Sequence, residues 1–286
     1  MKKFGLAMTA MLLAVSMTAC ASNPSDSGEQ KLQIGIIQPA EHAALDSARE
    51  GFVDTLADHG YVDGETIEID YQNAQGDSSA LLTISQRFVG DDCDLVLAIG
   101  TGAAQSIASQ TSEIPVLITA VTDPVDAGLV QSNEAPGTNI TGTNDMNPIR
   151  EQMELIREFL PDVQTVGLLY TSSEDNSALQ IQEVKAVLEE MNVGYVEQTV
   201  TGSNDVQQAV QSILGKCDAL YIPTDNTLAA SAALVGSAAQ TAKIPVFWGE
   251  GNCVAEGGLA SLGLDYYNLG RQTGEMAVEV LEGADP

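Results

Sequence analysis

Two stretches decide the fold: LITAVTDPVDAGL (117–129) and ALYIPTDNTLAAS (219–231). Each runs from an apolar strand through Thr-Asp into small, helix-compatible residues. They lie 102 positions apart, so that Asp123 matches Asp225. Around the first copy the strand candidates are 33–38, 67–73, 95–100, 116–121 and 139–143; around the second they are 166–171, 195–200, 219–223, 246–249 and 259–265. Helical faces alternate with them: Leu45, Ala48, Phe52 and Leu56; Leu81, Ser85, Phe88 and Val89; Ile149, Met153, Ile156 and Leu160; Ile181, Val184, Leu188 and Met191. Near-continuous apolar strands alternating with amphipathic helices predict parallel sheets covered on both faces. The internal echo predicts α/β organisation in two Rossmann-like lobes. Ligands of open parallel sheets bind beyond the carboxyl ends of the strands. Thr122-Asp123 and Thr224-Asp225 therefore face a common cleft, one pair from each lobe. Each aspartate has a second reading as the cap of the following helix.

The first thirty residues read differently. Lys2 and Lys3 precede an apolar run from Phe4 to Val15, then Ser16-Met17-Thr18-Ala19 and Cys20. These are the parts of an export signal, and the run is shorter than the ~20 residues a spanning helix needs. Thr-Ala-Cys resembles the lipobox of bacterial lipoproteins, which implies cleavage before Cys20 and acylation of its sulfur. Residues 1–19 are thus expected to be a signal peptide, and 20–30 a lipidated cysteine with a flexible polar tether. The expected location is extracytoplasmic, lipid-anchored to the cell membrane. About 256 residues remain, natural for two cores.

The chain holds 40 acidic and 11 basic residues, and losing Lys2 and Lys3 takes the formal charge from −29 to −31. Such a surface excludes nucleic acid as a partner and disfavours anionic solutes. Cations, zwitterions and neutral solutes stay open. With Cys20 reserved for lipid, Cys93, Cys217 and Cys253 are read as small buried residues, with Cys217–Cys253 pairing as the alternative. Enzyme chemistry lacks its parts: His42 and His59 are the two histidines, and there is no HExxH, paired CxxC or phosphate loop. Gly100-Thr101-Gly102 copies part of a dinucleotide fingerprint, but Gln105 stands where the third glycine belongs. No cofactor or metal is expected.

Six segments together resemble the ABC-transporter substrate-binding lipoproteins. They are IGIIQPAEHAALDSAREGFVDTL (34–56), YVDGETIEIDYQNAQGD (61–77), AVTDPVDAGLV (120–130), TNITGTNDMNPI (138–149), YIPTDNT (221–227) and DYYNLGRQTGEMA (265–277). The similarity spans residues 31–286 and is greatest to the tryptophan/tyrosine-binding subgroup. It implies a periplasmic-binding-protein type I architecture with three hinge crossings: an N-terminal lobe of 31–143 plus about 255–283, and a C-terminal lobe of 147–254. It implies a monomer that captures a small zwitterionic solute by lobe closure and passes it to ABC permease subunits. Family members usually continue past the last helix with a further strand, whereas this sequence stops at Pro286.

For an amino acid, the solute carboxylate needs donors. Thr101, Gly102 and Ala103 open a helix whose N–H groups suit an anion, and Ser172 and Ser173 could close on it. The ammonium needs an anion, for which Asp225 is the choice, with Asn176 adding a hydrogen bond. The resemblance implies that Gln38 and His42 line the cleft. Thr122, Asp123, Thr224, Asn226, Glu250 and Asp265 complete the candidate set. Tyr170, Phe247 and Trp248 are candidate apolar walls or, equally, core residues.

Overall fold

The computed structural model describes residues 31–286; the expected leader, Cys20 and the tether lie outside the described residues. The first lobe alternates β1 (Leu32–Gln38), α1 (Ala43–Asp58), β2 (Ile67–Asn73), α2 (Ser78–Gly90), β3 (Leu95–Ile99), α3 (Thr101–Ala108), β4 (Val116–Val121) and β5 (Ile140–Asn144). Its strands pair in parallel in the order β2-β1-β3-β4-β5. The second lobe runs α4 (Ile149–Phe159), β6 (Thr165–Thr171), α5 (Asp175–Glu190), β7 (Gly194–Val200), α6 (Val206–Ile213), β8 (Ala219–Ile222), α7 (Asn226–Ala229), α8 (Ala232–Ala242), β9 (Val246–Trp248) and β10 (Ala260–Ser261). Its parallel order is β10-β9-β8-β6-β7. These are the two parallel α/β lobes that the echo predicted.

The period of two along each strand sorts side chains onto opposite faces. In β3, Leu95, Leu97 and Ile99 join Ile34 and Ile36 beneath α1, while Val96 and Ala98 join Ile37 beneath α2 and α3. The second sheet divides likewise: Leu169, Leu220 and Ile222 face α6 and α8, and Leu168 and Tyr221 face α4 and α5. Trp248 and Phe247 are fully buried on these two faces, so they build the core and not a pocket wall. Cys93, Cys217 and Cys253 are buried free thiols. The expected strand 259–265 shrinks to Ala260–Ser261, since residues 262–265 leave the sheet towards the next helix. The second sheet therefore keeps the chain through Ser261, later than the expected return near residue 255.

Helix α9 (Tyr266–Leu281) carries the chain back to the first lobe and lies along α1. Glycines permit the approach. A methyl group at Gly270 would stand 1.9 Å from the Ala48 carbonyl oxygen, and one at Gly51 would stand 2.1 Å from the Tyr267 carbonyl oxygen. Gly270→Ala forces two backbones apart, which by analogy with overpacked cores costs about 1–3 kcal/mol. A fall in Tm of roughly 5 °C is expected for a chain of this size, and calorimetry of the variant measures it. An unchanged Tm would mean that α1 and α9 do not meet at backbone distance.

Candidate functional site

The carboxyl ends of the two sheets face one another across a narrow polar cleft. The first lobe supplies His42, Leu45, Ala120, Thr122 and Tyr266, with Asp145 from the connection that follows β5. The second supplies Asn176, Thr224, Asp225, Asn226 and Glu250. Ala120 has a left-handed φ of 54° where the pairing of β4 with β5 shifts register, and that shift shapes the cleft floor. The enclosed volume is about 10 Å³, room for about one water.

Asp225 caps α7, accepting from Leu228 N at 2.9 Å, and also accepts from Thr171 N, Thr171 Oγ1 and Ser177 Oγ. A carboxylate offers about four acceptor positions, so Asp225 is fully occupied within its own lobe. Glu174 is equally engaged, taking Asn226 N and Nδ2 on one oxygen and Thr227 N and Oγ1 on the other. Two carboxylates thus hold the N-terminus of a four-residue helix that is too short to persist unaided. Burial, then the nearby Glu174 charge, push Asp225 up to about 7. Its place as partner of a solute ammonium is consequently weak, because every lone pair already has a donor.

Asp145 is different. It is 3 % exposed and accepts only from Thr122 Oγ1 at 3.1 Å and Tyr266 Oη at 2.8 Å. Two of its roughly four acceptor positions have no donor among the described residues, and Asp145 lines the cleft. Burial raises its pKa, and Glu250 adds to the rise. Glu250, also 3 % exposed, receives the Cys253 thiol at 2.9 Å and stands 3.7 Å from His42 Nδ1. His42 itself crosses between the lobes, its Nε2 being 3.2 Å from Asn226 Oδ1. Since Asn226 Nδ2 donates to Glu174, its Oδ1 is the face shown to His42, and Nε2 is the donor. His42 Nδ1 is buried with no hydrogen-bond partner. Among the described residues, the cleft lining therefore carries three buried carboxylates and neither lysine nor arginine.

The remaining candidates fall elsewhere. Gln38 is buried at the end of β1 behind the cleft, donating to Ala40 O and Asp46. Thr101, Gly102 and Ala103 open α3, and Thr101 Oγ1 is buried and unpartnered. A side chain at Gly100 would come within 3.9 Å of Asn226 Oδ1, so this helix start adjoins the cleft. Asp123 caps its own turn through Val125 N and Asp126 N. Ser172 and Ser173 are exposed, Ser172 being tied to Val200 O. Asp265 is an exposed cap on α9. These four side chains lie outside the cleft lining because local backbone groups claim them or they face solvent. Tyr170 turns its hydroxyl to Glu197 on the surface. Asp145, Tyr266, Leu45, Ala120 and Glu174 were not foreseen. The one signal for Asp145 was its place between a strand and Asn147-Pro148, where the chain changes lobes.

The model of the family described as ABC transporter substrate binding protein matches residues 33–286. A tyrosine-binding protein of Clostridioides difficile (strain R20291) is 42% identical over 293 residues, covering 99% of this chain and 85% of that one. A solved structure of an ABC domain in complex with L-Trp, from Streptococcus pneumonia, is 41% identical with a TM-score of 0.86, covering 90% and 86% of the two chains. The ligand-free, open structure of a substrate binding protein with adhesive properties from Clostridium difficile is 45% identical with a TM-score of 0.65, covering 88% and 86%. At similar identity, the whole chain superposes more closely on the complex than on the ligand-free, open structure. More distant periplasmic binding proteins share the fold.

The raised pKa of Asp225 has a consequence for stability. Its protonated form favours the native state, so the contribution is complete below an unfolded value of about 3.9 and is lost as pH climbs through about 7. Asp225→Asn has no such group. The stability of the wild type relative to this variant should fall between pH 4 and 8, as read by thermal unfolding of both. A difference that grows with pH would mean that the four donors outweigh burial.

Proposed function

The chain belongs to the ABC transporter substrate binding protein family, and on that premise we propose that it captures a zwitterionic aromatic amino acid between its lobes and hands it, unchanged, to an ABC permease. Proteins of this family act outside the cytoplasm, and the Thr-Ala-Cys sequence supports a lipid anchor on Cys20 that keeps this one at the membrane surface. The observation that carries the reading is the unbalanced charge of the cleft. Asp145 and Glu250 are carboxylates removed from water, with acceptor positions to spare and, among the described residues, no lysine or arginine in the lining. Buried charge needs a partner, and a solute ammonium supplies it.

The solute carboxylate has a matching place at the start of α3. There the helix dipole is positive, first-turn N–H groups lack helical partners, and Thr101 Oγ1 is an unused buried hydroxyl. The aromatic side chain is suggested by the tyrosine-binding relative and the L-Trp complex. With about 10 Å³ enclosed, the cleft admits a solute only when the lobes part, which agrees with capture by closure.

Thermal unfolding of the full chain in detergent, against the twenty amino acids, tests this. A true ligand at a hundredfold excess over its Kd stabilises the native state by ~2.7 kcal/mol. L-Tyr or L-Trp is expected to raise Tm, and Asp145→Asn to weaken binding by ~2 kcal/mol or more, about thirtyfold. A response confined to sugars or nucleosides would sink the amino-acid reading. Separately, Cys20→Ser should move the protein from the membrane fraction to the soluble fraction, and continued membrane retention would refute the anchor.

A further inference from the structure

The chain passes between the lobes at 145–148, from β5 to α4, and again at 262–265, from β10 to α9. Side chains join these two crossings at both ends. On the first-lobe side Tyr266 Oη donates to Asp145 at 2.8 Å. On the second-lobe side Gln152 Nε2 donates to the Leu262 carbonyl oxygen at 2.7 Å. We propose that Gln152 is a positioning residue: it clasps the crossings so that they bend as one hinge, and thereby sets the affinity for a solute it does not touch. This rests on the capture by closure proposed above and adds the part that makes closure a single motion.

Three observations converge. The first is the residue type. Gln152 belongs to the buried face of α4, with Ile149, Met153 and Ile156. An amide in such a place costs free energy unless both its oxygen and its nitrogen are bonded. Here both are. Tyr221 Oη, in the core of the second lobe, donates to Gln152 Oε1 at 2.6 Å, which leaves Nε2 to face Leu262. Strand β8, helix α4 and the second crossing are tied in one line. The second observation is where that line ends. The β9–β10 ladder stops at Ser261, so the Leu262 carbonyl is the first beyond the sheet, and the amide takes over where the sheet leaves off. The third is what the crossing rests on. A methyl group at Gly263 would stand 2.8 Å from the Gly249 carbonyl oxygen and 3.3 Å from Gly251 N. The second crossing therefore lies against the backbone on either side of Glu250, while the first crossing carries Asp145. The two partly satisfied carboxylates of the cleft are both held by the clasped pair. With the clasp cut, the crossings bend independently and fewer molecules keep the two carboxylates in register. The apparent affinity falls with that fraction.

Pulsed dipolar spectroscopy and titration calorimetry of the full chain in detergent test this, with L-Tyr and L-Trp as the solutes. Spin labels are placed through Ser78→Cys and Gln207→Cys, exposed positions one in each lobe, and the native thiols among the described residues are buried. Gln152→Met keeps the volume and removes both bonds. It also orphans the Tyr221 hydroxyl, so Gln152→Met with Tyr221→Phe is made beside it, because removing both partners together restores much of the lost stability. Both variants are expected to broaden the ligand-free distance distribution and to weaken binding by about tenfold, even though Tm recovers in the double variant. A glutamine that only stabilised the fold would give wild-type distances and affinity once Tm recovers, and that outcome overturns the clasp while leaving the proposed function standing. A broadened distribution with unchanged affinity overturns it as well. If neither solute binds the wild type, the proposed function falls, and the ligand-free distribution alone decides the clasp, an unchanged width overturning it.

Discussion

Desolvated carboxylate charge is what the cleft is organised around. Asp225 and Glu174 are each satisfied by donors from their own lobe, and in return they fix the loop after β8, the start of α7 and the end of β6 in one arrangement. Asp145 and Glu250 are nearly as buried but only partly satisfied. The same functional group therefore does two jobs, decided by how many donors surround it. A saturated carboxylate builds the wall, and an unsaturated one keeps acceptor positions for a partner. Removing a satisfied carboxylate leaves several orphaned donors and harms the fold, whereas removing Asp145 orphans two, Thr122 Oγ1 and Tyr266 Oη, while relieving the burial of a partly paired charge.

That difference bears on how the lobes move. Contacts across the cleft are few and polar: His42 with Asn226, and Gln105 of α3 with Asp175 of α5 at 3.0 Å. Water replaces such contacts at little cost when the lobes open. The attachment of α9 is the opposite kind. It packs on α1 at backbone distance, and Thr273 bonds Thr143 of β5 at 2.8 Å, so it moves with the first lobe as one body. Tyr266, at the head of this helix, reaches Asp145 where the chain crosses between lobes. A charge placed on Asp145 is therefore felt at a crossing point, next to the segments that must bend for the lobes to part.

Much of the architecture was legible in the sequence because periodicity is local. The strands expected at 67–73 and 116–121 appear with those bounds, and the face Leu45, Ala48, Phe52, Leu56 is buried as read. The run at 259–265 misled because it is leucine-rich like a strand, while Leu259, Leu262 and Leu264 all remain substantially exposed. The cleft was less legible, because a carboxylate's role depends on neighbours distant in sequence. Asp145 acquires its character from Tyr266, 121 positions away, and from burial that no motif announces among 40 acidic residues. Asp123 and Asp225 match in the sequence echo, yet Asp123 sits at the surface on its own turn, and Asp225 gathers donors from β6 and α5.

This divergence within the echo explains why one lobe holds most of the polar network. In the second lobe Thr171, Ser177 and Gln180 converge on the Thr224-Asp225 loop. In the first lobe the position equivalent to Asp225 is turned away, and the inward charge comes from Asp145 on the crossing. A symmetric pair of inward aspartates would set two saturated walls face to face, with no free acceptor for a solute. With the open carboxylate on the crossing, Asp145 lies on the segment that joins the lobes and still lines the cleft. On the proposed reading, a solute ammonium that meets Asp145 at the crossing loses the last of its water only when the lobes close over it, so desolvation and pairing of the two charges coincide.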